Sequence, residues 1–261
     1  MPSNWDPQQY QRFSNERSRP FFDLLARVPD EDVHVVADLG CGPGNLTATL
    51  VSRWPNATVW GVDSSSDMLT AAAQLPAHSR LYFQQADLAT WQPGQPVDRL
   101  VSNAAMQWVP DHERVLTHFF RILAPGGVLA VQMPNNFTEP AHRLLAEVVR
   151  QEPWASAIGH WQERYFMQTA DWYVEALLRL EFVDTEVWET IYYHVLQGPD
   201  AVLEWMKGTA LRPALARLAG TQHEAFLAAY GARLRDAYPE HAYGTLLPFR
   251  RLFFVAKKPR V

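Results

Sequence analysis

The chain has 261 residues, a formal net charge of −5 and a hydrophobic content of 48%. This acidic balance argues against a general nucleic-acid binder, so an anionic ligand would have to be held by a local cluster of cations. The single cysteine, Cys41, cannot form an intramolecular disulfide, and no window reaches about 18 uninterrupted apolar residues. Because the N-terminus also lacks a charged stretch followed by an apolar core, we expect a cytoplasmic protein without a membrane span.

The first predicted element is a helix over residues 6–28, and alternating strands and helices follow it. The predicted strands are VHVVADL, ATVWGVD, RLYFQQAD, PVDRLVSNAA and GGVLAVQMP, and LTATLVSRW, SSDMLTAAAQL and DHERVLTHFFRIL read as helices. Strands that are almost continuously apolar and alternate with helices are typical of a parallel sheet covered on both faces. The pattern therefore predicts a doubly wound α/β fold.

The final third of the chain departs from this alternation. Residues 182–196 alternate as a half-buried strand, residues 198–244 carry helical stretches, and FRRLFFVA closes the chain as a strand. A strand, a helical insertion and a returning strand predict an antiparallel pair at the edge of the sheet. The insertion is then free to form a small helical cap.

A glycine loop, ADLGCGPGNL, follows the first strand and opens a helix. Gly40, Gly42 and Gly44 let the backbone approach a ligand closely, although a tight turn alone would also explain them. Asn45 stands where the dinucleotide fingerprint has its third glycine, which disfavours NAD and FAD. Asp38 precedes the loop, where a carboxylate repels a pyrophosphate but can receive an ammonium group.

Two further carboxylates end the next two strands. Asp63 can accept two hydrogen bonds from a ribose diol, and Asp87 can accept one from an exocyclic amine. Each of them alone is more typical of an ordinary surface aspartate. Together with Asp38 and the glycine loop, they indicate a ligand with an ammonium group, a ribose and an adenine but no phosphate, which is S-adenosylmethionine.

Five stretches in order resemble the successive motifs of the class I S-adenosylmethionine-dependent methyltransferases. They are VADLGCGPGN, GVDSS, QQADL, LVSNAAMQWV and LAPGGVLAVQMP. Stretches outside these motifs, among them RSRPFFDLLARV and VWETIYYHVLQGPDAVLEWMKGTALRP, resemble the branch of this superfamily that methylates trans-aconitate. The resemblance implies a Rossmann-like, mostly parallel seven-stranded sheet and methyl esterification of a small anionic tricarboxylate, with S-adenosylhomocysteine as the second product.

The resemblance also implies a domain plan and a set of ligand-binding residues. We expect one domain over 1–261, with an N-terminal helical lid over 1–30, a cofactor-binding core over 33–134, and helical cap segments over 138–180 and 198–244. The residues expected to bind the cofactor are Tyr10, Arg17, Asp38, Gly40, Gly42, Gly44, Asp63, Ser64, Met68, Asp87, Leu88 and Asn103.

Two adjacent arginines, Arg250 and Arg251, begin the last predicted strand. Ligands gather at the carboxyl ends of parallel strands, and a final antiparallel strand starts at that same edge. Strand alternation places the two side chains on opposite faces, so only one can face an anionic substrate, and the sequence does not say which. The further candidates for the substrate wall are Trp108, Tyr192, Tyr193, Trp205 and Lys207.

The expected reaction needs no general base, because a carboxylate acceptor with a pKa of about 4 is ionised at neutral pH. In agreement, the sequence shows no Ser–His–Asp or Cys–His constellation and no motif for a metal site, and we assign no catalytic residue and no metal. Two alternatives stay open. One is the same chemistry on another small carboxylic acid or a phenol, which the ten tryptophans would suit. The other is a regulatory module that binds the cofactor without turnover.

Overall fold

A computed structural model describes residues 14–31, 33–159 and 165–260, with side chains from Ser18 onward. The strands are β1 Val35–Leu39, β2 Thr58–Asp63, β3 Leu81–Gln85, β4 Val97–Asn103, β5 Leu123–Pro134, β6 Val183–Leu196, β7 Glu240–His241 and β8 Gly244–Lys257. The helices are α1 Ser14–Leu25, α2 Asn45–Arg53, α3 Ser66–Ala72, α4 His112–Ile122, α5 Pro140–Val149, α6 Trp154–Ile158, α7 Ala170–Arg179, α8 Ala201–Lys207, α9 Arg212–Leu215 and α10 Thr221–Ala237. A short 3-10 helix covers Met106–Trp108. None of these helices is long and apolar enough to cross a membrane.

Seven strands form the main sheet in the order β3-β2-β1-β4-β5-β8-β6, and the two-residue β7 pairs with β8. Strands β1 to β5 pair in parallel, whereas β8 runs antiparallel to both β5 and β6. The predicted fold class is therefore confirmed: a doubly wound, mostly parallel sheet with an antiparallel pair at one edge.

Helices cover both faces of the sheet, which is why β1 is buried at every position. One face, here called the cap face, carries Val36, Val101 and Phe253 and packs against α1, α2 and the helices of the insertion. The opposite face carries Leu100 and Leu129 and packs against α4 and α7. The apolar runs of the sequence thus become a central layer between two helical layers.

The antiparallel edge pair is longer than the sequence predicts. Strand β8 begins at Gly244, well before the two arginines, and its first residues pair with the end of β6 at Leu196. Helices α8, α9 and α10 lie between these strands in the chain, and α8 and α10 pack on the cap face through Trp205 and Tyr230. Arg251 lies opposite Pro134, where β5 ends, so the arginines do reach the carboxyl edge of the parallel strands.

The stretch 138–180 divides between the two layers. Helices α5 and α6 join the cap-face core through Leu145 and Ile158. Helix α7 instead packs on the opposite face, where Tyr173 stacks on Phe254 with ring centroids 5.2 Å apart. The helical layer on the cap face thus includes α5, α6 and the insertion beside α1 and α2.

Candidate active site

Polar side chains form one row across the carboxyl ends of the parallel strands, all on the cap face. In the order of the strands β2, β1, β4, β5 and β8, they are Asp63, Asp38, Asn103, Gln132 and Arg251. The pairing register produces the row, since Asn103 lies opposite Gln132, and Gln132 lies opposite Phe253, two positions from Arg251. Alternate residues of a strand face the same side, so these five side chains share one surface.

Asp38 lies buried at the end of β1, below the glycine loop. Its Oδ2 accepts a 2.6 Å hydrogen bond from the Thr47 hydroxyl of α2, while Oδ1 is buried without a hydrogen-bond partner among the described residues. The pKa of Asp38 is raised to about 7, mainly by burial; the Thr47 hydrogen bond lowers it, and the nearby Asp63 raises it. A cation beside Oδ1 would satisfy this oxygen and favour the ionised form.

The glycines of the loop have different functions. At Gly40, where φ is +83°, an added Cβ would lie 2.1 Å from the Cβ of Ala105, so the close packing of two loops excludes a side chain. At Gly42, where φ is +55°, no atom lies within 4 Å of such a Cβ, and the space above the backbone is open. Gly40 therefore serves packing, whereas the backbone at Gly42 is open to a close approach.

Asp63 connects the end of β2 to the glycine loop. Its Oδ2 accepts a 2.9 Å hydrogen bond from the Gly42 N–H, and its Oδ1 accepts one of 2.9 Å from the Ser65 N–H. An ionised carboxylate has about four lone-pair positions, so each oxygen can still accept a hydrogen bond from a ribose hydroxyl. Asp63 thus fits both roles, that of a loop anchor and that of a diol acceptor.

The remaining residues expected at the cofactor lie around this loop. Leu88 is buried 3.9 Å from the position of a Cβ at Gly40, and Asp87 is exposed, with Oδ1 accepting from the Ala89 N–H at 2.9 Å. Ser64 is exposed and Met68 is half-buried. Tyr10 lies outside the described residues, as does the side chain of Arg17. With two buried oxygens that lack a described partner, Asp38 Oδ1 and Asn103 Oδ1, this edge fits a cofactor rich in hydrogen-bond donors.

Asn103 ends β4 in a constrained turn. Ala104 has a positive φ of 54°, and its N–H donates a 2.8 Å hydrogen bond to the backbone oxygen of Gln132. Gln107 returns from the 3-10 helix, and its Nε2 donates to the Ala104 oxygen at 2.8 Å. These bonds fix the position of Asn103 at the centre of the polar row.

The structure decides between the two arginines. Arg251 is buried, with 5% exposure, on the cap face; its Nη1 donates a 3.0 Å hydrogen bond to Gln132 Oε1, and its guanidinium lies 4.4 Å from the ring centroid of Phe249. Arg250 points to the other side of the strand, where it forms ion pairs with Glu189 at 3.3 Å and Glu139 at 3.8 Å. Arg251 is therefore the arginine in the polar row, and strand alternation turns Arg250, the other of the two candidates, away from it.

Strand alternation also separates the two tyrosines of β6. Tyr192 is buried on the cap face, and its hydroxyl donates a 2.7 Å hydrogen bond to Asp23 Oδ2 of α1. Burial and this contact raise the pKa of the Tyr192 phenol, while the positive charges of Arg19 and Arg251 oppose the shift. Tyr193 is 64% exposed on the other face, so its expected place in the substrate wall is wrong.

Trp205 and Lys207 lie on α8 in the cap. Trp205 is buried and stacks on His194, with ring centroids 5.1 Å apart, and it also contacts Phe249 at 5.6 Å. Lys207 forms an ion pair with Glu204 at 2.5 Å. Trp205 thus packs against Phe249, the ring that Arg251 contacts.

A group of aromatic side chains covers the loops that follow β4 and β5. Trp108 packs against Tyr165 at 4.9 Å, and Tyr165 stacks on Phe137 at 3.6 Å between ring centroids. Sequence reasoning missed Phe137 and Tyr165, which follow no periodic pattern, and it missed Gln132. The signal for Gln132 was present, because it is a polar residue inside the otherwise apolar strand GGVLAVQMP.

The charged groups of the polar row are separated along the edge of the sheet. Within residues 14–31, 33–159 and 165–260, no group of three or more His, Cys, Asp or Glu side chains could hold a metal ion. The row instead has carboxylates at one end and a buried guanidinium at the other. It can bind a cationic group and an anionic group side by side.

Comparison with known proteins defines the class. A sequence profile described as a methyltransferase domain matches residues 36–127. Haemonchus contortus phosphoethanolamine N-methyltransferase 2, solved in complex with S-adenosyl-L-methionine, has a similar fold, with a TM-score of 0.55 and 18% identity over 93% of this chain and 52% of that one. The strand order, the glycine loop and these matches together define a class I S-adenosylmethionine-dependent methyltransferase.

Curated relatives define the family within this class. A trans-aconitate 2-methyltransferase from an Azoarcus species is 49% identical over 98% of this chain and 99% of its own length. Another from Streptomyces avermitilis is 48% identical over 99% of this chain and 98% of its own. The chain belongs to the trans-aconitate 2-methyltransferase family.

Proposed function

We propose that this protein transfers a methyl group from S-adenosylmethionine to a carboxylate of trans-aconitate, forming a methyl ester and S-adenosylhomocysteine. The relatives that match almost the full chain bear the name of this activity. The observation that carries the proposal is the buried guanidinium of Arg251, which shares one face of the sheet with Asp38 and Asn103. The proposed acceptor is an anion, and Arg251 is the cation suited to hold it.

The proposed cofactor contacts follow from the hydrogen-bond acceptor positions that remain open in the polar row. The unpartnered Oδ1 of Asp38 would accept from the ammonium group of the cofactor, and the second lone pairs of Asp63 would accept from its ribose hydroxyls. Leu88 and Met68 would contact the adenine, with Asp87 at its amino edge and Ser64 nearby. The open space at Gly42 supports a close approach of the ligand to the loop.

The proposed catalysis is positioning of the acceptor. S-adenosylmethionine supplies a methyl group on a positively charged sulfur, which keeps the electron pair of the broken bond. The acceptor carboxylate has a pKa of about 4 and is already ionised at neutral pH, so no side chain needs to remove a proton. The fork of Arg251 would hold a carboxylate of the substrate, and Trp108, Phe137 and Tyr165 would exclude water from the reacting atoms.

A turnover assay with the purified chain tests the proposed function. We expect formation of S-adenosylhomocysteine that depends on trans-aconitate, and a product of the mass of a monomethyl ester that is cleaved by mild base. The cis isomer, tricarballylate and a phenol such as catechol serve as competing acceptors. A higher kcat/KM for the phenol, or binding of the cofactor without turnover of any acceptor, would contradict the proposal.

We further propose that the protein acts in the cytoplasm, since its one cysteine, Cys41, is a free buried thiol. Fractionation of producing cells with an antibody against the chain tests this location. Recovery of the protein mainly outside the cytoplasmic fraction would contradict it.

A further inference from the structure

Gln132 lies between Asn103 and Arg251 in the polar row and is fully buried. On one side it lies opposite Asn103 in the register of β4 and β5, and on the other side its amide contacts Arg251. It is a polar residue in a strand whose other buried positions, from Val128 to Met133, are apolar. A buried amide in such a strand destabilises the fold unless its polar atoms are bonded, so it calls for a specific explanation.

The contact with Arg251 fixes the orientation of the amide. A guanidinium group offers only donors, so the atom that lies 3.0 Å from Arg251 Nη1 has to be the carbonyl oxygen of Gln132. The amide nitrogen, Nε2, therefore points away from Arg251. Nε2 is buried and has no hydrogen-bond partner among the described residues. The two N–H donors of the Gln132 amide are thus buried between Arg251 and Asn103.

We infer that Gln132 contacts the substrate and determines its specificity, by donating a hydrogen bond from Nε2 to a carboxylate oxygen of the acceptor. This inference rests on the proposed function. The amide is aligned by Arg251 and placed beside Asn103, so the carboxylate that it holds lies between the anchoring guanidinium and the centre of the row. Gln132 thereby selects which carboxylate of a polycarboxylate is presented for methylation.

The variant Gln132→Glu separates this role from a purely structural one. Glutamate has nearly the same shape and still offers an acceptor to Arg251, so the structural contact is kept. It lacks the N–H donors and places a negative charge against the acceptor carboxylate. Because the glutamate also partly neutralises Arg251, Gln132→Met is measured beside it, and a residue that binds substrate raises the KM in both variants.

We expect Gln132→Glu to raise the KM for trans-aconitate at least about 20-fold, because a donor to a charged group is lost and a like charge is gained. The dissociation constant for S-adenosylhomocysteine, measured by calorimetry, should stay within about twofold of the wild type, as for a change that leaves that site intact. The matched control is Gln151→Glu, the same substitution at an exposed turn, for which both constants should be unchanged.

The outcomes are distinguishable from failure of the proposed function. If the wild type does not methylate trans-aconitate, the proposed function itself fails. If the wild type is active and Gln132→Glu binds the cofactor normally with a KM within about threefold of the wild type, Gln132 is only structural and the inference is overturned. Should Gln132→Glu not fold, Gln132→Met provides the test, since it removes the donors without adding a charge. A KM raised about tenfold, with cofactor binding kept, then supports the inference, and an unchanged KM overturns it.

Discussion

Arg250 and Arg251 are consecutive in the chain, yet their guanidinium groups lie on opposite sides of the sheet. Arg251 is buried on the cap face with Gln132 and Phe249, whereas Arg250 pairs with Glu189 and Glu139. The two residues therefore form a natural pair of test and control. They carry the same side chain at neighbouring positions of one strand, but their surroundings differ.

Arg251→Lys should raise the KM for trans-aconitate by at least about tenfold, because lysine keeps the charge but loses the planar fork that matches a carboxylate. Arg250→Lys should change the same constant by less than about twofold, since an exposed ion pair contributes little. Steady-state kinetics at saturating S-adenosylmethionine measure both. Equal effects at the two positions, or a larger effect at Arg250, would contradict the assignment of Arg251 as the anchor.

Cofactor affinity should depend on pH through Asp38. Because burial raises the pKa of Asp38 to about 7, the ligand-free protein holds a proton there in mildly acidic solution. An ammonium group at Oδ1 favours the ionised form, so binding releases that proton, and affinity should rise by up to about tenfold per pH unit below this pKa and level off above it. Calorimetry with S-adenosylhomocysteine between about pH 5.5 and 8 measures the effect. Asp38→Asn should bind more weakly and lose most of this pH dependence, and a flat wild-type profile would count against the role of Asp38.

Gly40→Ala and Gly42→Ala should separate packing from ligand approach. The Cβ of Gly40→Ala would meet Ala105 at 2.1 Å in a left-handed backbone, so we expect a loss of at least about 2 kcal/mol in the free energy of unfolding. Gly42→Ala adds only the backbone strain of about 1 kcal/mol, yet it fills the open space where the cofactor is proposed to approach. Urea denaturation and calorimetry measure the two effects. Normal cofactor affinity in Gly42→Ala would show that the ligand lies elsewhere.

His112 and Tyr173 form a buried contact behind the 3-10 helix that follows Asn103. His112 Nε2 lies 2.9 Å from the Met106 carbonyl, which can only accept, so Nε2 carries the proton and Nδ1 accepts from the Tyr173 hydroxyl at 2.6 Å. Tyr173→Phe leaves that buried nitrogen without its donor and should cost about 1–3 kcal/mol in the free energy of unfolding. Denaturant titration at neutral pH measures this loss, and unchanged stability would exclude the contact.

The same histidine predicts how stability changes with pH. Burial lowers the pKa of His112, while the carbonyl contacts and Asp111 oppose the shift. Since the histidine of the unfolded chain titrates near the ordinary value of about 6.5, it binds a proton there that the folded protein rejects, and the contribution of His112 to stability falls as pH drops below that value. Asp38, whose pKa is raised in the folded protein, contributes with the opposite sign. His118, whose pKa burial also lowers, adds to the same trend. His112→Gln should remove this loss, so the unfolding free energy of the variant should rise relative to that of the wild type as the pH falls below about 6.5, and an unchanged slope would contradict this origin.

The parallel core could be predicted from the sequence because each pattern that indicates it lies within a short segment of the chain. The apolar runs, the glycine loop and the aspartates at strand ends each lie within one short segment, and the structure bears out their order and their place at one edge. The helical insertion between the last two strands was predicted for a similar reason, from helical stretches between two strand patterns. Strand β8 begins earlier than predicted, since its length depends on pairing with β6 across the whole insertion.

The sequence by itself determined the fold class, the family resemblance and the residue types at the candidate site, because strand periodicity and motif spacing are properties of neighbouring residues. It also limited the arginine pair to one inward residue. Only the tertiary structure decided that this residue is Arg251, that Tyr192 is buried and Tyr193 exposed, and that Gln132 stands between Asn103 and Arg251. These outcomes depend on the register between strands distant in the chain, and a strand pattern shifted by one residue would have turned every one of these side chains to the other face.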